Sequence, residues 1–233
     1  MNSVAIKQEK VFEEQRKFIA KVYGWMALAL LISGISAYLT IRIPFLSNLF
    51  FGAGSNVPFF VLMIIELVLV IVLSAKVRTM SVGSVSLFYI LYSIVDGMSL
   101  SVIFFVFDIQ SIATTFFISA GMFAAMTLYG KKTKQNLSSF GRYFSMALIG
   151  LIIASVVNLL LKSSFFDWVI SLVALVVFIG LTAYDTQKIL KASEYSDGSD
   201  TFKKAAIIGA LELYLDFINI FIHLLSLFGK KRD

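Results

Sequence analysis

Long apolar runs alternate with short polar connections along the whole chain, and within each run the apolar residues are continuous rather than alternating. They fall roughly at residues 22–43, 58–75, 82–107, 109–130, 143–161, 168–189 and 205–228. An α-helix rises about 1.5 Å per residue, so about 20 apolar residues cross the hydrocarbon layer of a bilayer. The pattern predicts seven spanning helices and an all-α polytopic membrane protein. Residues 1–21 are expected to form a cytoplasmic, solvated N-terminal segment, 22–229 a single transmembrane domain and 230–233 a basic tail. The first run exceeds the apolar core of about 7–15 residues usual in a secretory signal, so it reads as a retained span. Short connections leave no room for a soluble domain, which places the activity in or beside the membrane.

Lys and Arg in short loops stay preferentially on the cytoplasmic side. With a cytoplasmic N-terminus, that side holds Lys7, Lys10, Arg16, Lys17 and Lys21, then Lys76 and Arg78, then Lys131, Lys132, Lys134 and Arg142, then Lys188, Lys191, Lys203 and Lys204. The opposite side holds Arg42 and Lys162, joined by Lys230, Lys231 and Arg232 if the last helix crosses fully. A re-entrant last segment would return that tail to the cytoplasm. Seven full crossings are expected, because residues 205–228 suffice for a span and contain no proline.

Of 233 residues, 59% are hydrophobic and 15% charged, which excludes an ordinary soluble enzyme. The net charge of +6 is distributed as a topology signal and implies no nucleic-acid partner. Without cysteine the chain has no disulfide, thiolate metal site or cysteine nucleophile.

Ionisable groups at membrane depth are rare and usually face a bundle interior or a watery cavity, since each costs at least about 2.5–3.5 kcal/mol near the bilayer centre. Glu66 lies midway along the second run, Asp96 midway along the third, Asp185 near the cytoplasmic end of the sixth, and Glu212, Asp216 and His223 in the seventh. The cores of the seven runs are read as holding no Lys or Arg, so these acids are expected to lack an intramembrane cation. Adjacent carboxylates in low dielectric cannot all ionise, and some must be protonated or share a proton.

In the seventh run, Glu212, Asp216, Asn219 and His223 are spaced four, three and four, which puts them on one helix face. The stripe extends about 16 Å along the axis. Such residues either hydrogen-bond to neighbouring spans or line a proton or cation pathway. As the lone histidine, His223 is the side chain best placed to titrate near neutrality, and it is equally suited to an interhelical hydrogen bond.

The stretch Ala210-Leu211-Glu212-Leu213-Tyr214-Leu215-Asp216-Phe217-Ile218-Asn219, continuing through His223 to Phe228-Gly229, resembles the last helix of the Bax inhibitor family, also called the transmembrane Bax inhibitor motif family. Ala183-Tyr184-Asp185-Thr186-Gln187 resembles its second signature. The chain looks like a bacterial-type member. The resemblance implies six helices wrapped around a central seventh and a pH-sensitive cation leak, chiefly of Ca²⁺, governed by two aspartates that share a proton when closed. Carried over, the pair is Asp185 and Asp216, which would also meet the permeating Ca²⁺ transiently. The latch arginine falls to Arg78, with Lys76 nearby, and Glu66 matches the second-helix acid. Glu212, Asp96 and His223 depart from the family pattern. Bacterial relatives resemble regulators of a membrane-bound ATP-dependent protease, and eukaryotic ones act in cell death and calcium control. The expected setting is a bacterial plasma membrane, with no cofactor beyond the permeant ion.

Counting residues inward gives a different neighbour. From Lys188 or Lys191, Asp185 is three to six residues deep, and Asp216 is twelve in from Lys204. At 1.5 Å per residue the depths differ by about 9–14 Å, and Glu212 lies closer in level. Tilt, or a sixth helix ending beyond Lys191, would remove the mismatch.

Enzyme readings fit poorly. An intramembrane aspartyl protease needs Gly-x-Gly-Asp where Leu213-Tyr214-Leu215-Asp216 stands, and a Pro-Ala-Leu that neither Pro44 nor Pro58 supplies. A serine–histidine dyad lacks a Gly-x-Ser context, and a helical metalloprotease needs two histidines. Asp197-Gly198-Ser199-Asp200 fails the EF-hand pattern and reads as a turn.

Overall fold

The computed structural model describes residues 2–52 and 57–232. The side chains of Lys7 and Lys10 in the N-terminal segment, and Asp233 of the tail, lie outside the described residues. Every named element among the described residues is helical: α1 (Asn2–Arg42), α2 (Pro44–Phe51), α3 (Val57–Lys76), α4 (Val82–Leu100), α5 (Ile103–Val106), α6 (Ile109–Lys132), a 3-10 turn at Leu137–Phe140, α7 (Gly141–Leu161), α8 (Ser164–Ser193) and α9 (Asp200–Phe228). Seven helical segments are long and apolar enough to cross a membrane, in agreement with the hydropathy pattern.

Two boundaries differ from that pattern. The N-terminal segment is helical and continuous with the first span, so α1 runs unbroken from Asn2. The third span breaks after Leu100. There the Ser101 hydroxyl donates to the Met98 carbonyl at 2.6 Å and the Ser101 amide is shared between the Gly97 and Met98 carbonyls, so the i−4 ladder gives way to i−3 bonds.

The chain divides into two compact units, Met1–Val106 with Ser193–Leu211, and Phe107–Ala192 with Glu212–Asp233. In the first, α1 and α4 approach so closely that a Cβ on Gly97 would collide with the Ser33 carbonyl. Ser36 donates to the Ile94 carbonyl at 2.7 Å, and the Tyr89 hydroxyl to that of Trp25 at 3.2 Å. Small residues and hydroxyls at a helix contact are what membrane interiors favour, because packing and hydrogen bonding replace a hydrophobic drive. Phe202 at the start of α9 meets Phe18 edge-on at 6.2 Å, and Lys204 donates to the carbonyls of Arg78 and Met80 in the α3–α4 turn. The segment before α9 is the expected turn: the Asp197 carboxylate accepts from the Ser199 amide at 2.9 Å, and Gly198 has φ +75°. Hydrogen bonds from Ser199 hold Asp197 below the usual carboxylate range.

In the second unit α8 is clamped from two sides. A Cβ on Gly130 of α6 would strike the Ala183 backbone, one on Gly141 of α7 the Tyr184 ring, and one on Gly180 the Phe144 ring. Leu175 packs with Ile220 and Leu224 of α9, and Phe116 and Phe123 of α6 meet Phe217 edge-on at 5.3 and 5.8 Å. The tail is docked: the Asp108 amide donates to the Lys230 carbonyl at 3.0 Å, and the Lys230 amide to Ser111 Oγ at 2.9 Å. It therefore lies at the end of the unit where α6 begins, and α9 is one continuous helix long enough to cross a membrane. Of the seven spans α9 is the most buried, at 67% of its apolar window against at most 44% for any other.

Candidate functional site

Helical periodicity sorts the end of α8 into faces. Ala183 is committed to α6 and Tyr184 to α7, which leaves Asp185 turned to α9. There the Asp185 and Asp216 carboxyls face one another across the two helices, with exposures of only 7% and 3%. Two carboxyls brought together out of water repel when both are ionised, so they compete for a shared proton. Asp216 Oδ2 is buried without a hydrogen-bond partner, so the pair is held in a site that solvates it incompletely.

One turn further along α8, Lys188 donates to Glu212 at 2.5 Å and stands 3.9 Å from Asp185. The apolar-run reading missed this cation because it treated the lysines as the edge of the membrane. Lys188 instead lies inside a helix that continues to Ser193, with its side chain half exposed at the rim of the site. That also corrects the depth count. Lys188 is level with Glu212, whereas Lys204 sits two turns further out on a helix that starts at Asp200, so the lysines are no common datum. Asp185 consequently faces Asp216 and is linked to Glu212 through the shared ammonium. The useful signal was the Asp185, Lys188 spacing of three, which puts both on one face.

Below the pair, the stripe changes character. Asn219 returns its amide to the Leu215 carbonyl of its own helix at 2.8 Å, and His223 stacks on Phe178 with ring centroids 6.2 Å apart. Both line a cavity of about 280 Å³ whose other walls, including Leu148, Ile152, Ile170 and Ala174, are largely apolar. His223 Nδ1 is buried without a partner.

Glu66, Asp96 and Arg78 belong to the first unit. Asp96 is buried and hydrogen-bonded to Tyr92, which also lies in the field of Glu66; Glu66 itself is half-buried on a wall of α3 with Phe60, Met63, Ile64 and Leu67. Arg78 follows α3, and its carbonyl accepts from Lys204. The described residues bring together no group of three or more His, Asp or Glu side chains fit to hold a metal ion.

The fold and site define a multi-pass α-helical membrane protein with a buried carboxyl pair between its last two spans. Residues 15–233 match the family model described as Inhibitor of apoptosis-promoting Bax1, and the chain belongs to that Bax inhibitor family. It is 46% identical over 218 residues to the inner membrane protein YbhL of Escherichia coli (strain K12), covering 92% of each chain. It is 42% identical to a protein of Rickettsia prowazekii (strain Madrid E), over 97% of this chain and 95% of that one. A protein of Borreliella burgdorferi is 38% identical over 97% of each.

Proposed function

We propose that this Bax inhibitor family member is a pH-sensitive cation leak of a bacterial inner membrane, with Ca²⁺ as the transported ion and the Asp185–Asp216 pair as its gate. The contact of two buried carboxyls on adjacent spans carries this reading. With one shared proton the pair is singly charged and clasps α8 to α9. Losing that proton sets two like charges against each other in a poorly solvated site, and their repulsion parts the helices. Rising pH therefore opens the path. Glu212 and the parted aspartates then offer the carboxylate oxygens that a hard cation takes in exchange for water. In this scheme α9 is the central helix, as its burial supports, Glu66 and Asp96 extend the acidic route, and Arg78 receives Asp185 in the open state. The N-terminus is cytoplasmic, as the distribution of Lys and Arg supports.

The test is Ca²⁺ flux into liposomes from about pH 5 to about pH 8, the range that a titrating gate near neutrality would span. Wild-type flux rises with pH, and Asp185→Asn and Asp216→Asn lose that dependence. Should Asp216→Asn leave both flux and its pH profile intact, the gate is elsewhere.

A second reading, a non-catalytic modulator of a membrane-bound ATP-dependent protease, is favoured by the helical extension of α1, where Phe12 is 63% exposed ahead of the apolar core. Removing residues 2–13 would abolish partner capture and leave liposome flux unchanged.

A further inference from the structure

The connection from α6 to α7 carries Lys131, Lys132, Lys134 and Arg142, all exposed, and no acid occurs anywhere between Asp108 and Asp167. None of the four makes an ion pair among the described residues. They stand where two apolar spans end, and Tyr129 and Tyr143 are exposed beside them at 46% and 66%. Exposed tyrosines at span ends mark the headgroup level of a bilayer. A patch of unpaired cations at that level fits an anionic phosphate diester.

The same connection is tied to the gating helix. Gln187 accepts from the Leu137 amide at 2.8 Å and donates to the Gln135 carbonyl at 2.9 Å. Lys191 donates to Asn136 Oδ1 at 2.7 Å and to Ser138 Oγ at 2.9 Å. Gln187 and Lys191, four apart, form the face of α8 next to the one that presents Asp185 and Lys188. Leu137 is buried beneath this clasp. Lys191 is thus consumed by the loop, while the four cations beyond it are left for an outside partner.

We propose that the α6–α7 connection is a binding surface for anionic phospholipid headgroups, and that an occupied surface restrains the end of α8 through Gln187 and Lys191. A headgroup fixes the loop at the membrane plane, and the clasp passes that restraint to the helix two residues beyond Asp185. The consequence for conduction, a leak that anionic lipid holds closed, rests on the gate proposed above; the binding and the restraint do not.

Full-length protein is placed in nanodiscs of phosphatidylcholine or of phosphatidylglycerol. Retained phosphatidylglycerol is counted by native mass spectrometry, and amide exchange is followed over residues 185–193. The wild type retains phosphatidylglycerol over phosphatidylcholine, and its 185–193 amides exchange more slowly in the anionic discs. Combined Lys131→Gln, Lys132→Gln, Lys134→Gln and Arg142→Gln lowers retention about tenfold or more, each headgroup contact being individually modest. Combined Lys131→Arg, Lys132→Arg and Lys134→Arg restores it, which separates lost charge from lost fold. Gln187→Leu keeps the lipid and loses the lipid-dependent protection of α8. Equal retention by the neutralised protein overturns the site, and full protection in Gln187→Leu overturns the restraint. Neither readout involves ion flux, so failure here and failure of the leak are separate results.

Discussion

Lys188 of α8 holds Glu212 of α9 at 2.5 Å while standing 3.9 Å from Asp185, so a single ammonium serves two acids beside the carboxyl pair. A nearby cation favours ionised carboxyls. Removing it in Lys188→Met makes the shared proton harder to lose, and half-maximal flux moves to higher pH. Glu212→Gln does the reverse, because one negative charge is gone and Lys188 is free for Asp185. Each shift is about one pH unit or less, since Lys188 is half exposed and screened. Flux profiles of the two variants in liposomes check the signs; a shift of both in one direction refutes the electrostatic account.

The histidine supplies an independent control. If the carboxyl pair is the sensor, His223→Phe leaves the pH profile of flux in place, although histidine is the usual titrating group near neutrality. The phenyl ring can keep the stacking on Phe178 and removes a buried nitrogen that has no partner, so stability is unchanged or rises by about 1 kcal/mol. Loss of the profile in this variant would move the sensor from Asp216 to His223.

Spans were legible because apolar length alone decides what fits a bilayer, whereas the site depended on contacts between distant residues. The similarity of Ala183-Tyr184-Asp185 and of the α9 stretch to the Bax inhibitor signatures pointed to Asp185 and Asp216, while rise per residue pointed to Glu212. The structure places both acids of α9 beside Asp185, because the lysines used as a depth mark belong to different levels of α8 and α9. Lys188 was hidden by the same assumption. The Gln187 clasp could not be read locally: its partners at Gln135 and Leu137 lie about fifty residues away, and glutamine carries no strong preference of its own. The break at Ser101 turned on one hydroxyl choosing a carbonyl three residues back.

Gly130 sets the distance between α6 and α8, the helix that bears Asp185. Its hypothetical Cβ meets backbone atoms of Ala183, which cannot rotate away as a side-chain tip can. Gly130→Val must push α8 outward two residues before Asp185. Overpacking of this kind costs about 1–3 kcal/mol, and the helix with the weaker restraint moves. Thermal unfolding in detergent should show a clear loss for Gly130→Val and a smaller one for Gly130→Ala. Gly150, whose Cβ would meet nothing within 4 Å, serves as the neutral comparison through Gly150→Ala. Equal effects at the two glycines would mean that the contact with Ala183 yields without resistance.

The docked tail predicts an odd number of crossings, and a chain without cysteine makes that testable with single introduced thiols. Residues 230 and 231 bond to the segment at 107–111, which precedes α6, while Lys134 follows α6. Lys162, between α7 and α8, is at the same end as the tail by the same alternation. Lys231→Cys and Lys162→Cys should therefore react with a membrane-impermeant maleimide from one face of the cell membrane, and Lys134→Cys from the other. The Lys230–Asp108 ion pair at 3.6 Å is largely exposed and contributes about 1 kcal/mol or less, so the substitutions do not depend on it for folding. With the proposed cytoplasmic N-terminus the tail falls on the outer face, which its positive charge disfavours. Here the backbone bonds to Asp108 and Ser111 oppose that preference. If Lys231→Cys labels with Lys134→Cys instead, α9 is re-entrant, and its whole polar stripe from Glu212 to His223 would have to face a different route through the membrane.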